Sequence, residues 1–387
     1  MPDGLTPPPL PNPPVPPPVI PAPVASPRPA ERPARRGNGW LIFSVIVTVL
    51  LIGSLLGNVV QSVGSAVSLA GSGGHHGKAS HLHEVVMEDN DADDKIVVLD
   101  IGGVISGQAI NYEGLTMVDH FKDQLDRAAG DDRVKAIVLR MDSPGGEVLA
   151  SDDIYKAMRA FQLTNPIPVV TVMGSLAASG GYYISAASRW IVANELTITG
   201  SIGVIFHGYN YRGLMDKFGV RPDVVKSGKL KDMFSGEKRP EDELPEEKAI
   251  LNDMVGESFR RFKSVIREGR GWSAELNAKE QIAGYRELAA NWEDFADGRI
   301  MSGSTALGLG LVDELGDFDT AVARAKVLAG IESANLVAYA LPPSFGDLFS
   351  LFGQAKSQTM KVEIGGLDLS PKLQQGRLYF ISPLHLH

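Results

Sequence analysis

The spacing of apolar positions changes character along this chain. From Trp40 to Gly57 they are nearly continuous (W-L-I-F-S-V-I-V-T-V-L-L-I-G-S-L-L-G), and no charge follows before Gly74. A run of this length suffices to span a bilayer as a helix. Beyond residue 94, β-branched runs alternate with stretches of helical spacing. Lys95–Ile101, Val134–Met141 and Val169–Met173 read as strands, Thr116–Ala129 and Glu147–Leu163 as helices, and Ser179–Ser188 as a helix start. Trp190–Ala193 and Ile202–Phe206 are short apolar segments. Asp242–Lys263, acidic early and basic late, suits a helix dipole. Such alternation predicts an α/β fold with a largely parallel sheet.

Five zones follow. Residues 1–38 are dominated by proline, which precludes helix or core and predicts an extended arm. Residues 39–62 form the expected anchor and 63–94 a solvated stem, with a globular domain over 95–335 and an extension of unassigned role over 336–387. Arg28, Arg32, Arg35 and Arg36 precede the apolar run, and Lys78 is the first positive charge after it. The positive-inside rule therefore predicts a single-pass protein of the cell membrane, its N-terminus cytoplasmic and its folded domain extracytoplasmic. A cleaved signal peptide is the rival reading, since Ser68-Leu69-Ala70 resembles a small-x-small cleavage site. The length of the run and of the arm before it favours the anchor.

Composition narrows the chemistry. There is no cysteine among the 387 residues, which removes thiol nucleophiles, thiolate metal sites and disulfides. Of eight histidines, six (75, 76, 81, 83, 385 and 387) lie in the flanking segments. None has the ligand spacing of a metal site, and no metal or cofactor is expected. His120 falls on a polar, helix-like stretch and reads as a surface residue. His207 follows an apolar run and is placed to lie near a site. A net charge of −9 with scattered basic residues gives nucleic-acid binding no support.

Two segments concentrate candidate chemistry. In Gly174–Tyr183 (G-S-L-A-A-S-G-G-Y-Y) one hydroxyl, Ser179, stands among alanines and glycines directly after an apolar run. A nucleophile needs such bare surroundings, because a substrate backbone must reach bonding distance. The N–H of Gly180 is available to a developing oxyanion. A tight strand-to-helix turn with no catalytic role fits the same residues. The second segment, Asp142-Ser143-Pro144-Gly145-Gly146, ends the preceding strand in a turn whose glycines let backbone approach a ligand. Ligands collect at the carboxyl ends of strands in α/β sheets, where both segments sit. Together they supply a nucleophile and two halves of an oxyanion hole.

These two segments, with T-G-S-I-G-V at Thr199–Val204, K-S-G-K-L-K-D at Lys226–Asp232, G-R-I-M-S-G at Gly298–Gly303 and L-G-L-V-D-E-L-G at Leu309–Gly316, resemble the signal peptide peptidase A family. The likeness covers about residues 94–335, and only Gly308-Leu309-Gly310 departs from the pattern. It implies a crotonase/Clp-like core carrying a serine–lysine dyad. By the resemblance Ser179 is the nucleophile, Lys231 the general base and Ser201 the hydroxyl that orients the lysine. Gly146, or less so Gly145, donates to the oxyanion together with Gly180. Lys226 and Lys229 compete for the role of base. A lysine serves only when neutral, which requires its pKa to fall by several units from about 10.4.

The implied activity is endopeptidase cleavage of apolar peptides, such as released signal peptides, through an acyl-enzyme. A single catalytic core resembles the short form of that family, and so implies a homo-oligomeric ring. Three alternatives remain at this point: a membrane peptidase of the same machinery that cuts one specific membrane partner, a catalytically silent scaffold of the same fold, and a crotonase-type enzyme acting on acyl-CoA. The segment Tyr379–Leu386 is apolar enough to pack on the body or on a neighbouring subunit.

Overall fold

In a computed structural model the described residues are 82–109, 114–341, 363–364, 367–368 and 378–381, with positions 43–45, 47–48, 50–51 and 54 of the apolar run. The proline arm, most of the anchor and residues 55–81 lie outside them. The chain divides into two units, 1–77 and 78–387. In the first, the described positions are helical, and Thr48 Oγ1 donates to the Ser44 carbonyl at 2.7 Å. Among the described residues no helix is long and apolar enough to cross a membrane.

The second unit runs β1 (His83–Glu88), β2 (Lys95–Gly102), α1 (Met117–Ala129), β3 (Val134–Ser143), β4 (Gly145–Glu147), α2 (Val148–Thr164), β5 (Val169–Ala178), α3 (Gly180–Ser185), β6 (Trp190–Ala193), β7 (Ile198–Gly200) and β8 (Ile205–Phe206). It continues with α4 (Arg212–Lys217), α5 (Pro245–Lys279), β9 (Ile300–Ser302), α6 (Gly303–Gly308), β10 (Glu314–Leu315), α7 (Phe318–Ala329), β11 (Asn335–Ala340), β12 (Glu363–Ile364), β13 (Leu367–Asp368) and β14 (Leu378–Ile381).

One sheet orders its strands β1-β11-β2-β3-β5-β6-β10, with β7 beside the far end of β5 and β9 beside β7. The strands from β11 to β10 are parallel, and the antiparallel β1 and β9 make the sheet mixed. Both faces of the centre are covered, which is why the central strands read as continuous apolar runs. Val97, Leu99, Ile137, Leu139 and Met141 face a core completed by α1, α2, α3 and α5. Ile96, Val98, Ala136 and Val138 face the other way, onto Ala321, Val322, Ala325 and Leu328 of α7.

The predicted elements differ from the observed ones in three places. The stem expected over 63–94 contributes β1, which pairs with β11 from His83–Ala340 to Glu88–Leu336. The domain thus reaches beyond residues 95–335 on both sides. β5 does not stop at Met173 but continues to Ala178, because its end pairs with β7 and Asp142 Oδ1 accepts the Leu176 N–H. The helix expected over Asp242–Lys263 runs from Pro245 to Lys279. Its later turns bury Phe262, Val265, Ile266 and Gly269 in the core. A Cβ on Gly269 would stand 2.0 Å from the Ala186 carbonyl oxygen, so this helix docks backbone to backbone on the end of α3.

Candidate active site

Ser179 stands between β5 and α3 with φ 53° and ψ −113°. An L-residue in that region carries strain of about 1–3 kcal/mol, which surrounding structure must hold. Two bonds hold it here: the Ser179 N–H donates to Gly200 O, and the Ser179 carbonyl accepts from the Tyr183 N–H, both at 2.8 Å. The side chain is buried at 1 % exposure, and its Oγ has no hydrogen-bond partner among the described residues. Buried hydroxyls are nearly always paired, so an orphan at a strained turn is a candidate functional position.

The D-S-P-G-G turn lies against this serine. Ser143 Oγ donates to Gly103 O at 2.6 Å and accepts the Gly145 N–H at 3.0 Å, which locks the turn. Gly145 has φ 101°, a value only glycine adopts freely. A Cβ on Gly146 would fall 1.9 Å from Ile105 O, and one on Gly180 would lie 3.1 Å from the Gly146 nitrogen. The structure therefore brings Gly145, Gly146, Ser179 and Gly180 into one small volume. Two N–H groups that can converge on one oxygen are what an oxyanion requires.

Ser201 follows β7 as Ser179 follows β5. Ala178 pairs with Gly200, so the two serines leave adjacent strands side by side, and Ser201 is also left-handed at φ 48°. Ser201 is buried, and its N–H donates to Arg299 O at 2.7 Å.

The lysines are elsewhere. Lys231 is exposed on a turn closed by its N–H to Gly228 O, and it is not within hydrogen-bond reach of Ser179 Oγ. Its competitors are committed to carboxylates: Lys226 to Asp232 at 2.7 Å and Lys229 to Glu246 at 2.7 Å. Lys238, close by, bonds Glu247 and Asp232, and the hydrogen bond it donates to Glu247 raises its pKa above the ordinary lysine value. Among the described residues Lys231 makes no ion pair. His207 is half-buried, with its ring edge-on to Tyr209. His120, expected at the surface, is half-buried with an unpartnered Nδ1, and burial lowers its pKa despite the nearby Asp123. No group of three or more potential metal ligands occurs among the described residues.

The sequence reading missed an aromatic set next to the serine. Tyr183, Phe262 and Phe380 pack with ring centroids 4.8–5.0 Å apart, and Tyr155 meets Tyr183 edge-on at 5.5 Å. The Tyr183 hydroxyl donates to Asp152 Oδ1 at 2.6 Å. The second tyrosine of S-G-G-Y-Y was the available signal for this pocket; Phe262 and Phe380 come from distant elements.

A strained serine without a hydrogen-bond partner among the described residues, beside a turn of close-packed glycines at the end of a mixed α/β sheet, points to the class of serine hydrolases. The family comparison makes that class specific. The model of peptidase family S49 matches residues 162–332, and a Clp protease model matches residues 98–191. A protein of Enterococcus faecium provisionally named signal peptide peptidase SppA is 34% identical over 305 residues, covering 78% of this chain and 81% of that protein. A Methanocaldococcus jannaschii protein provisionally named protease MJ0651 is 33% identical over 80% of this chain and 88% of its own. Protease 4 of Salmonella typhi is 33% identical over 65% of this chain but only 37% of its own length. The chain belongs to peptidase family S49, as a serine peptidase with a Clp-protease-like core.

Proposed function

We propose that the protein is a membrane-anchored endopeptidase in which Ser179 and Lys231 form the catalytic dyad. The observation that carries this reading is the buried, strained and unpartnered Ser179 hydroxyl beside Gly146 and Gly180. Ser179 attacks the scissile carbonyl as its proton passes to lysine. The Gly146 and Gly180 N–H groups stabilise the oxyanion, and the leaving amine takes the proton. Water then hydrolyses the acyl-enzyme by the reverse route.

Lys231 is the favoured base because Lys226 and Lys229 are held by carboxylates. In the isolated chain, however, Lys231 is exposed and lies beyond hydrogen-bond reach of the serine. The reading therefore includes a second copy of the chain, whose Lys231 reaches Ser179 and loses water in doing so. A homo-oligomeric ring satisfies this requirement for every copy. The apolar run within 39–62 holds the assembly to the bilayer, with the catalytic domain extracytoplasmic. Apolar peptides released from the membrane, such as spent signal peptides, are substrates suited to that location and to the aromatic pocket.

The test is subunit complementation on a fluorogenic apolar peptide. Ser179→Ala and Lys231→Ala are each expected to be inactive alone and to regain turnover when dissociated and reassembled together. Wild-type turnover by Lys231→Ala would remove this lysine from the mechanism. Inactive variants that stay inactive after mixing would place serine and lysine in one chain. A folded, assembled wild type that cleaves nothing would reject the peptidase reading.

A further inference from the structure

The segment 226–238 carries four lysines, and three of them are engaged by carboxylates. Lys226 Nζ donates to both oxygens of Asp232, at 2.8 and 2.7 Å. Lys238 Nζ stands 3.7 Å from the same carboxylate and donates to Glu247 at 2.5 Å. Lys229 pairs with Glu246 at 2.7 Å, and both glutamates belong to the first turn of α5. Lys231 alone makes no ion pair among the described residues, although Asp232 is its next neighbour in the chain. The hydrogen bond from Lys226 holds the Asp232 carboxyl below its ordinary pKa, against the opposing effect of desolvation.

The backbone fixes this division of partners. Lys231 N–H donates to Gly228 O at 3.2 Å, Met233 N–H to Leu230 O at 3.1 Å and Ser235 N–H to Asp232 O at 3.2 Å, a run of overlapping turns. Lys226 Nζ also reaches Lys229 O at 3.2 Å, across the turn that bears Lys231. Phe234 is left-handed at φ 61°, with its ring 5.4 Å from that of Phe206 in β8. Such a conformation persists only where the surroundings impose it. Beyond it, Gly236 O accepts the Tyr211 N–H at 2.9 Å, and a Cβ on Gly236 would stand 2.3 Å from Tyr209 O. Glu247 is buried, so the Asp232–Lys238–Glu247 chain of charges ties the turn to the body of the domain.

We propose that Lys226 and Lys238 are positioning residues that act through Asp232, occupying the carboxylate beside Lys231 and so leaving the Lys231 amine free for Ser179 of a second copy. A lysine amine rides on a flexible four-carbon stem and pairs with an unclaimed carboxylate in reach. Without Lys226, the adjacent Asp232 becomes that carboxylate. Lys226, which in the sequence competes for the role of base, thus serves the base instead. The inference rests on the reading of Lys231 as the base and adds which residues keep it available.

The test is a double-substitution cycle in the full assembled chain, read by turnover of a fluorogenic apolar peptide. Lys226→Met releases Asp232 to bind Lys231 and should lower kcat about fivefold or more at unchanged KM. Lys226→Arg, which keeps the ion pair, should turn over like wild type. Lys226→Met combined with Asp232→Asn should return kcat to within about twofold of wild type, because no carboxylate remains to capture the amine. Lys226 is exposed, so its loss leaves the fold intact, and circular dichroism and size-exclusion chromatography confirm fold and assembly. An unchanged kcat in Lys226→Met overturns the proposal. So does a double variant as impaired as the single one, which would make the contact a brace of the loop only. Lys231→Ala, measured alongside, separates the two readings. If it is inactive, a failed cycle counts against this proposal alone. If it turns over like wild type, the base reading fails and this proposal falls with it.

Discussion

The N–H of Ser179 donates to the carbonyl of Gly200 at 2.8 Å, tying the Ser179 turn to the end of β7. That bond holds Ser179 at a φ of 53°, which a side chain disfavours. Replacement by glycine should therefore relieve strain while removing the nucleophile. Ser179→Gly is expected to be inactive yet more stable than Ser179→Ala by about 1 kcal/mol. Urea unfolding of the two variants side by side checks this, and equal midpoints would mean the turn is not strained.

The glycines proposed to line the oxyanion site admit no side chain. Gly146→Ala places a methyl 1.9 Å from Ile105 O, and Gly145→Ala adds a contact of 2.0 Å with Phe380 O at a positive φ. Backbone cannot give way as a flexible side chain does, so each should lose at least about 1–3 kcal/mol of stability. Turnover should fall by about a hundredfold or more through a displaced donor. The measurement is kcat at a temperature where circular dichroism confirms folding. Near-normal kcat in folded Gly146→Ala would exclude its N–H from the oxyanion site.

A buried ion pair braces the helix that supports α3. Arg270 is fully buried, bonding Asp313, Gly310 O and Ser273 Oγ, while Asp313 also accepts the Ile191 N–H at 2.8 Å. Asp313→Asn leaves the guanidinium charge without its counterion and should cost about 3–5 kcal/mol. Arg270→Met with Asp313→Asn should recover part of that loss. If the single and double variants unfold at the same denaturant concentration, the pair is not coupled.

Acid stability should depend on Lys95. Burial opposes ionisation of Asp131, but hydrogen bonds from Lys95 and from the Arg133 N–H and guanidinium outweigh it and bring its pKa to about 2. A carboxylate depressed in the fold stabilises above its unfolded pKa, here 3.8, and that contribution is lost as pH falls from about 4 toward 2. Lys95→Met should flatten this part of the profile and destabilise the protein mainly above pH 4. Thermal melts from pH 2 to 6 provide the comparison, with parallel profiles counting against the Lys95–Asp131 bond.

Much of the site is legible in the chain because its parts are local. Ser143, Pro144 and the two glycines form a turn within five residues, and the bare surroundings of Ser179 come from its immediate neighbours. The apolar runs of β2, β3 and β5 announce a sheet covered on both faces, since burial on both sides removes the polar alternation. Other features depend on partners far along the chain. Val85 and Val86 look like stem residues until β11, some 250 positions later, pairs with them. Leu176–Ala178 look like turn residues until Ile198–Gly200 pair beside them.

Residue types and their local order determined the strand-to-helix turn that carries Ser179, the glycine turn beside it and the α/β class, because backbone freedom at glycine and the burial of β-branched runs act over a few residues. Only the tertiary structure decided that Phe380 meets Tyr183 and Phe262 beside Ser179, and that Lys231 stays in solvent away from it. Those outcomes are set by strand pairing and helix docking between segments as much as 236 residues apart, Gly145 and Ile381 being the extreme. No local pattern encodes which distant edge an apolar segment such as Leu378–Ile381 will fill.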